Sequence, residues 1–223
     1  MSENKGFFQL TMNGRRADIH LYGNITSYPW KSGDRSAANL VDEIKQLDAD
    51  EIHLHIDSLG GSVPEGWGMY NALLEHPAKI VTYADGFVAS AALYPFLAGD
   101  DRIANSVSAF YLHEASTYAG GYADDLRKAA DQVEFLTDVG INAFVDRTGQ
   151  TKEAIAQLMK NETWLSADRA LELGIATAIQ KAQQTAGYTQ DVRAQLVQIL
   201  TAEKAPSEPE NKIKKFFAFE RSK

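Results

Sequence analysis

Cysteine is absent from the 223 residues. That one absence removes disulfides, thiol nucleophiles and cysteine-ligated zinc together, and it fits a reducing compartment, so the expected location is cytoplasmic. Long hydrophobic runs are missing too. The most apolar stretch, 87–98, is broken by Ser90, Tyr94 and Pro95, and nothing approaches the ~18 consecutive apolar residues of a membrane span. The opening MSENKGFFQL has no basic region followed by an apolar core, so a secretory signal is not expected. Positive charge is scarce: 22 basic residues face 30 acidic ones, a formal net charge of −8. From Lys204 onward there are six basic and three acidic residues, which leaves −11 for the part before it. A body that acidic does not suit nucleic acid, whose phosphates demand a basic surface. The G-x-x-x-x-G-K-[ST] phosphate cradle is absent, so any ATP-driven step would fall to a partner. The H-E-x-x-H spacing is absent as well. His20, His53 and His55 sit inside strand patterns and His76 near a helix end, so neither a metal nor a cofactor is expected.

What remains is a globular composition, 44% hydrophobic and 23% charged, long enough for one domain with a real core. FFQLTM and ADIHLYGNI read as strands, with Asn13-Gly14 as a type I′ hairpin signal between them. Residues 36–48 place Ala37, Leu40, Val41, Ile44 and Leu47 on one helical face. EIHLHI (51–56) is a strand, DSLGGS a turn, 64–75 a helix, KIVTYAD (79–85) a strand and 90–98 a helix. DRIA and SAFYLH are further strands. A long helix at about 122–146 follows Gly120-Gly121, another starts near Thr151, and WLSADRALELG reads as turn, helix and glycine stop. The alternation predicts an α/β domain with a largely parallel sheet over residues 1–182. The glutamine-rich stretch 183–202 is expected to add an amphipathic helix. Residues 203–223 are expected to form a flexible linker and a basic, aromatic tail.

Serine-based acyl transfer needs a hydroxyl, a base, an acid to orient the base, and N–H donors for the oxyanion. Ser90 stands between a strand and a helix in DGFVASAA, where it is a nucleophile or an ordinary helix cap. His113 closes an apolar strand 23 residues later, as a base or as a satisfied core residue. Gly60-Gly61 follows EIHLHI, and glycines there allow positive φ and close approach of another backbone. The surrounding pattern is not the G-x-S-x-G elbow.

Taken together these segments resemble the Clp protease proteolytic subunit family, peptidase family S14, over about residues 17–180. DSLGGSVPEGWGMYNALL resembles its glycine turn and following helix, GFVASAAL its nucleophile segment, and AFYLHEAS the strand ending in its histidine. AGGYADDLRKAADQVE resembles a helix of the phage capsid or prohead maturation branch, and ETWLSADRALELGIATAI the family's ending. The resemblance implies a ββα superhelix of crotonase-like type with a protruding handle helix. It implies Ser90, His113 and Glu162 as the catalytic set, and N–H groups of Gly61 and Ala91 as the oxyanion hole. It also implies polypeptide substrates lying as a strand beside Gly60, Gly61, Ser62 and Val63. Closed homo-oligomeric rings are implied as partners, and the phage branch adds capsid or scaffold proteins. Asp57 and Leu59 stand where the family usually has Asn and Pro, and Glu162 stands where it commonly has Asp. Two other readings carry weight: a non-catalytic shell or scaffold protein on the same fold, and an acyl-CoA enzyme of the crotonase type. The second would leave Ser90 and His113 without roles.

Overall fold

Short strands with every second residue apolar, separated by amphipathic helices, generate the architecture of the computed structural model, which describes residues 8–26 and 36–181. All of these belong to one unit, Met1–Ala182. The expected segments 183–202 and 203–223 lie outside the described residues.

The chain opens with a hairpin of β1 (Phe8–Asn13) and β2 (Arg16–Tyr22). Asn13 pairs with Arg16, so the two turn residues are Gly14 and Arg15, one position later than expected. Only the first of them, Gly14, has positive φ (64°), which is the demand of a II′ turn rather than the I′ turn that Asn-Gly signals. The strand also ends at Tyr22, and Ile25 forms an isolated bridge to Gly61.

Parallel strands β3 (Glu51–Ser58) and β4 (Lys79–Ala89) follow, then β5 (Asp101–Asn105), β6 (Ala109–Leu112), β7 (Thr163–Ser166) and β8 (Ala178–Gln180). The sheet runs β1-β2-β3-β4-β5-β8, with β6 on β4 and β7 on β6. Alternation assigns its faces. Ala17, Ile19 and Leu21 of β2 and Ile52, Leu54 and Ile56 of β3 are buried. Asp18, His20, His53, His55 and Tyr83 turn the other way and are half-buried.

The helices are α1 (Ala37–Gln46), α2 (Val63–Glu75), α3 (Leu93–Leu97), α4 (Ala123–Thr148), α5 (Lys152–Lys160) and α6 (Ala167–Glu172). Ser36 and Asn39 form a reciprocal capping box at the start of α1. The helix expected over 90–98 is instead a 3₁₀ turn, Ser90–Ala92, followed by the five residues of α3. The turn expected at Trp164–Ser166 is strand β7, paired antiparallel to β6. Four residues are too few for alternation to announce it.

One strand positions the site. β4 pairs with β5 through Val81–Ala84 and then with β6 through Phe87–Ala89. Between the two lies Asp85-Gly86. The Phe87 N–H donates to Asp57 Oδ1 at 2.9 Å, and a Cβ on Gly86 would fall 2.5 Å from that same oxygen. Asp57 therefore acts as an acceptor that fixes the step from one neighbour to the other, and glycine at 86 makes room for it.

Two guanidiniums lock the far side. Arg102, 6% exposed, donates to the carbonyls of Ile175, Gly99, Gly174 and Arg147. Arg147 donates to Leu97 and Gly99 carbonyls. Burial holds Arg102 below its ordinary pKa, and the neighbouring Arg147 charge adds to this.

Candidate active site

Ser90 directly follows β4 with φ 55°. An L-residue in that region costs about 1–3 kcal/mol, and such strain collects at functional sites. Among the described residues only one other non-glycine shares it, Glu162 at 50°. Ser90 caps no helix: the cap before the 3₁₀ turn is Ala89, with no side-chain bond. Its Oγ lies 2.7 Å from His113 Nε2, placed to donate its proton to the ring. His113 follows immediately after β6, the strand held by the second half of β4. The two expected residues are thus brought together by one strand pairing.

Gly60 and Gly61 have φ of 89° and 143°, the region that favours glycine. A Cβ at Gly60 would lie 2.5 Å from Ala89 O, 2.7 Å from Ser90 Cβ and 2.9 Å from Ala91 N. The glycine turn therefore packs directly against the serine turn. Ile25 N–H donates to Gly60 O at 2.8 Å, and Ser62 N–H donates to Ile25 O at 3.0 Å. Gly60 and Ser62 spend these groups on Ile25, whereas no described residue accepts a bond from Gly61 N–H. Val63 begins α2 and lines the site with its side chain. Beside Ser90 and His113 is an apolar recess walled by Val63, Leu93, Tyr94, Leu112, Phe144 and Met159. Its outer wall is tied to α4, since Thr137 Oγ1 accepts from Ala115 N–H and donates to Val133 O.

Glu162 does not meet His113. Among the described residues His113 Nδ1 has no hydrogen-bond partner, and the Glu162 carboxylate is felt instead at the Tyr111 phenol. Desolvation raises that phenol's pKa, and the Glu162 charge raises it further. Tyr111 in turn stacks on His113 with centroids 5.2 Å apart, and on Trp164 at 4.4 Å, with Phe87 edge-on to Trp164. This aromatic row escaped the sequence reading. The signal was available, because Tyr111 and His113 stand two apart in a strand pattern and so share a face.

A second polar cluster was also missed. His20 and His55 are in register across β2 and β3, and Asp85 lies on β4 beside them. Local spacing such as H-E-x-x-H does not register side chains brought together by strand pairing. Burial pushes the Asp85 carboxyl up, but hydrogen bonds from His55 and Tyr22 prevail and hold it below the usual carboxylate value.

A family model described as Clp protease matches residues 15–183. The chain belongs to the Clp protease family. It is 32% identical over 146 residues to the ATP-dependent Clp protease proteolytic subunit 1 of Prochlorococcus marinus (strain NATL2A), covering 63% of this chain and 74% of that one. It is 31% identical over 147 residues to proteolytic subunit 2 of Thermobifida fusca (strain YX), covering 63% and 72%. A solved structure, a point mutant of ClpP1 from Listeria monocytogenes, superposes with a TM-score of 0.60 at 20% identity, covering 74% of this chain and 91% of that one. That likeness shows the fold, and the expected α/β class of Clp type holds. The Clp family is one of serine peptidases. No helix among the described residues is long and apolar enough to cross a membrane.

Proposed function

We propose that this Clp-family chain is an active serine endopeptidase with Ser90 as nucleophile and His113 as its base. The observation that carries the reading is the 2.7 Å approach of Ser90 Oγ to His113 Nε2 from a strained, non-capping backbone position. His113 takes the Ser90 proton as Oγ attacks a peptide carbonyl. The N–H groups of Gly61 and Ala91 receive the oxyanion, and His113 then protonates the departing amine. Water repeats the sequence on the acyl-enzyme and releases the acid. The Gly61 N–H, from which no described residue accepts, supports main-chain docking of an extended polypeptide. Glu162 is the proposed third member, which requires its carboxylate to reach His113 Nδ1.

Assembly into closed rings, in a cytoplasmic setting, belongs to the same proposal. So does a head-maturation role on capsid or scaffold proteins, supported by the AGGYADDLRKAADQVE segment that leads into α4. A non-catalytic shell protein is the second reading, favoured by the lack of a hydrogen bond between Glu162 and His113 among the described residues. A serine-reactive fluorophosphonate probe and a fluorogenic peptide decide between them. Wild type is expected to label and cleave. Ser90→Ala and His113→Ala are expected to fall by at least a thousandfold, with the double variant no worse than either single one, since such groups act as a unit. An unlabelled, inactive but assembled wild type establishes the shell protein instead.

A further inference from the structure

The half-buried face of the sheet carries a cluster the peptidase chemistry does not use. His20 on β2 and His55 on β3 are register partners, and their rings stack at 4.8 Å with 25° between planes. His55 is stacked on its other side by Tyr83, its partner on β4, at 4.4 Å and 5°. The ring planes are thus set by three adjacent parallel strands. Asp85, two residues beyond Tyr83, brings Oδ2 to 2.9 Å from His55 Nδ1. The carboxylate is aimed from behind: the Tyr22 hydroxyl donates to Oδ2 at 2.7 Å and Asn105 Nδ2 donates to Oδ1 at 3.1 Å. No described lysine or arginine pairs with it, and Arg15, Arg16 and Lys79, on or beside the same strands, are each paired with other carboxylates.

We infer that His20, His55 and Asp85 form a binding site for a divalent transition-metal ion of the zinc class. One donor atom from each lies within 4.8 Å of the others. An ion with bonds of about 2.0–2.1 Å in tetrahedral geometry wants its donors about 3.3 Å apart. The His55–Asp85 pair is already that close, so the requirement falls on His20, whose ring closes by up to about 1.5 Å and turns out of its stack on His55 to bring its lone pair, which lies in the ring plane, onto the ion. Two imidazoles and a carboxylate select zinc, nickel or copper over calcium and magnesium, which prefer all-oxygen shells. The hydrogen bonds from Tyr22 and Asn105 are the outer layer that such sites use to orient a ligating carboxylate. Three protein ligands leave a position for water. The ion would clamp β2, β3 and β4 together, with His55 and Asp85 each five residues upstream of the glycine and serine turns.

The test uses untagged, full-length protein stripped with chelator, and zinc alone as the probe. Competition against a chromophoric chelator is expected to give one zinc per chain. Cobalt substitution is expected to give visible absorption of nitrogen and oxygen ligation, and zinc is expected to raise Tm relative to EDTA. His20→Gln and His55→Gln should each weaken zinc at least tenfold. His53→Gln, on the same face but outside the triplet, should bind as wild type does. Absence of saturable binding near one per chain overturns the inference. So does wild-type affinity in His20→Gln, whose position at the edge of the cluster makes it the variant least able to disturb folding, and so does equal loss in His53→Gln.

Discussion

A carboxylate that steadies an imidazole has to reach its Nδ1, and among the described residues that of Glu162 makes no hydrogen bond to His113, while its charge raises the pKa of Tyr111. Tyr111 lies flat against His113, so it limits how that ring tilts. Glu162 can serve His113 directly after swinging across, or indirectly by holding Tyr111, and two substitutions separate these. If it swings, Glu162→Gln is expected to lower kcat at least a hundredfold, Glu162→Asp to retain part of the rate, and Tyr111→Phe to stay near wild type. Removing the negative charge then leaves the imidazolium unsupported. Equal losses in Glu162→Gln and Tyr111→Phe assign Glu162 to Tyr111 alone. At this scale Ser90 and His113 were legible because each closes a strand pattern. The Glu162 contact was not, because its 50° φ turns the chain in a way that no residue type around it announces.

The elements are joined by charge buried among carbonyls as much as by apolar packing. Arg102 serves four carbonyl oxygens on β5's flanks, α4 and the turn after α6. Arg102→Met keeps much of the volume but takes the donor from the Ile175, Gly174 and Arg147 oxygens, while that of Gly99 keeps its bond from Arg147. An unsatisfied buried polar group costs about 1–3 kcal/mol, so the loss should reach about 3 kcal/mol or more. At about 2–4 °C per kcal/mol in a domain of this size, Tm should fall on the order of 10 °C by calorimetry. An unchanged Tm would mean that water replaces the guanidinium. Helices with clean apolar faces, such as α1, were readable in the sequence. The strand β7 and the 3₁₀ turn were not, because both are defined by the neighbour they pair or pack against and not by their own pattern. Inside α4, glycine at 140 looks like a helix weakness until the fold is seen. A Cβ there would lie 2.1 Å from the Tyr94 hydroxyl.

For the whole molecule the unfinished surface is α4. Of its 26 residues only Gly140, Ile141 and Phe144 are buried, while Phe135 is 66% exposed and Tyr122, Leu126 and Val139 are exposed with it. Exposed apolar groups along one projecting helix mark an interface, and a homo-oligomer closed by cyclic symmetry would cover them. Light scattering across concentration is expected to give a multiple of the 24.5 kDa chain. Leu136→Glu, beside Phe135, should lower mass and peptidase rate together. A fully active monomer would remove the ring from the proposed function. The sequence hinted at this surface through apolar residues spread over more than one stripe of the helix, but which of them the chain buries itself was settled only by Tyr94, Phe144 and their neighbours.

The divided pairing of β4 has a consequence for how the molecule breathes. Ser90, the proposed nucleophile, follows the end of β4 and His113, its proposed base, follows the end of β6, and those two strands share only the short register Phe87–Ala89 with Ala109–Tyr111. Fluctuations that open this seam separate donor from acceptor while β2, β3 and the front half of β4 stay zipped. The Ser90–His113 pair therefore depends on a smaller cooperative unit than the fold itself. Amide protons of β6 and β7 should exchange with deuterium sooner than those of β3, and whatever braces that seam, a docked peptide or a neighbouring subunit, is expected to raise the proposed hydrolysis without reshaping the rest.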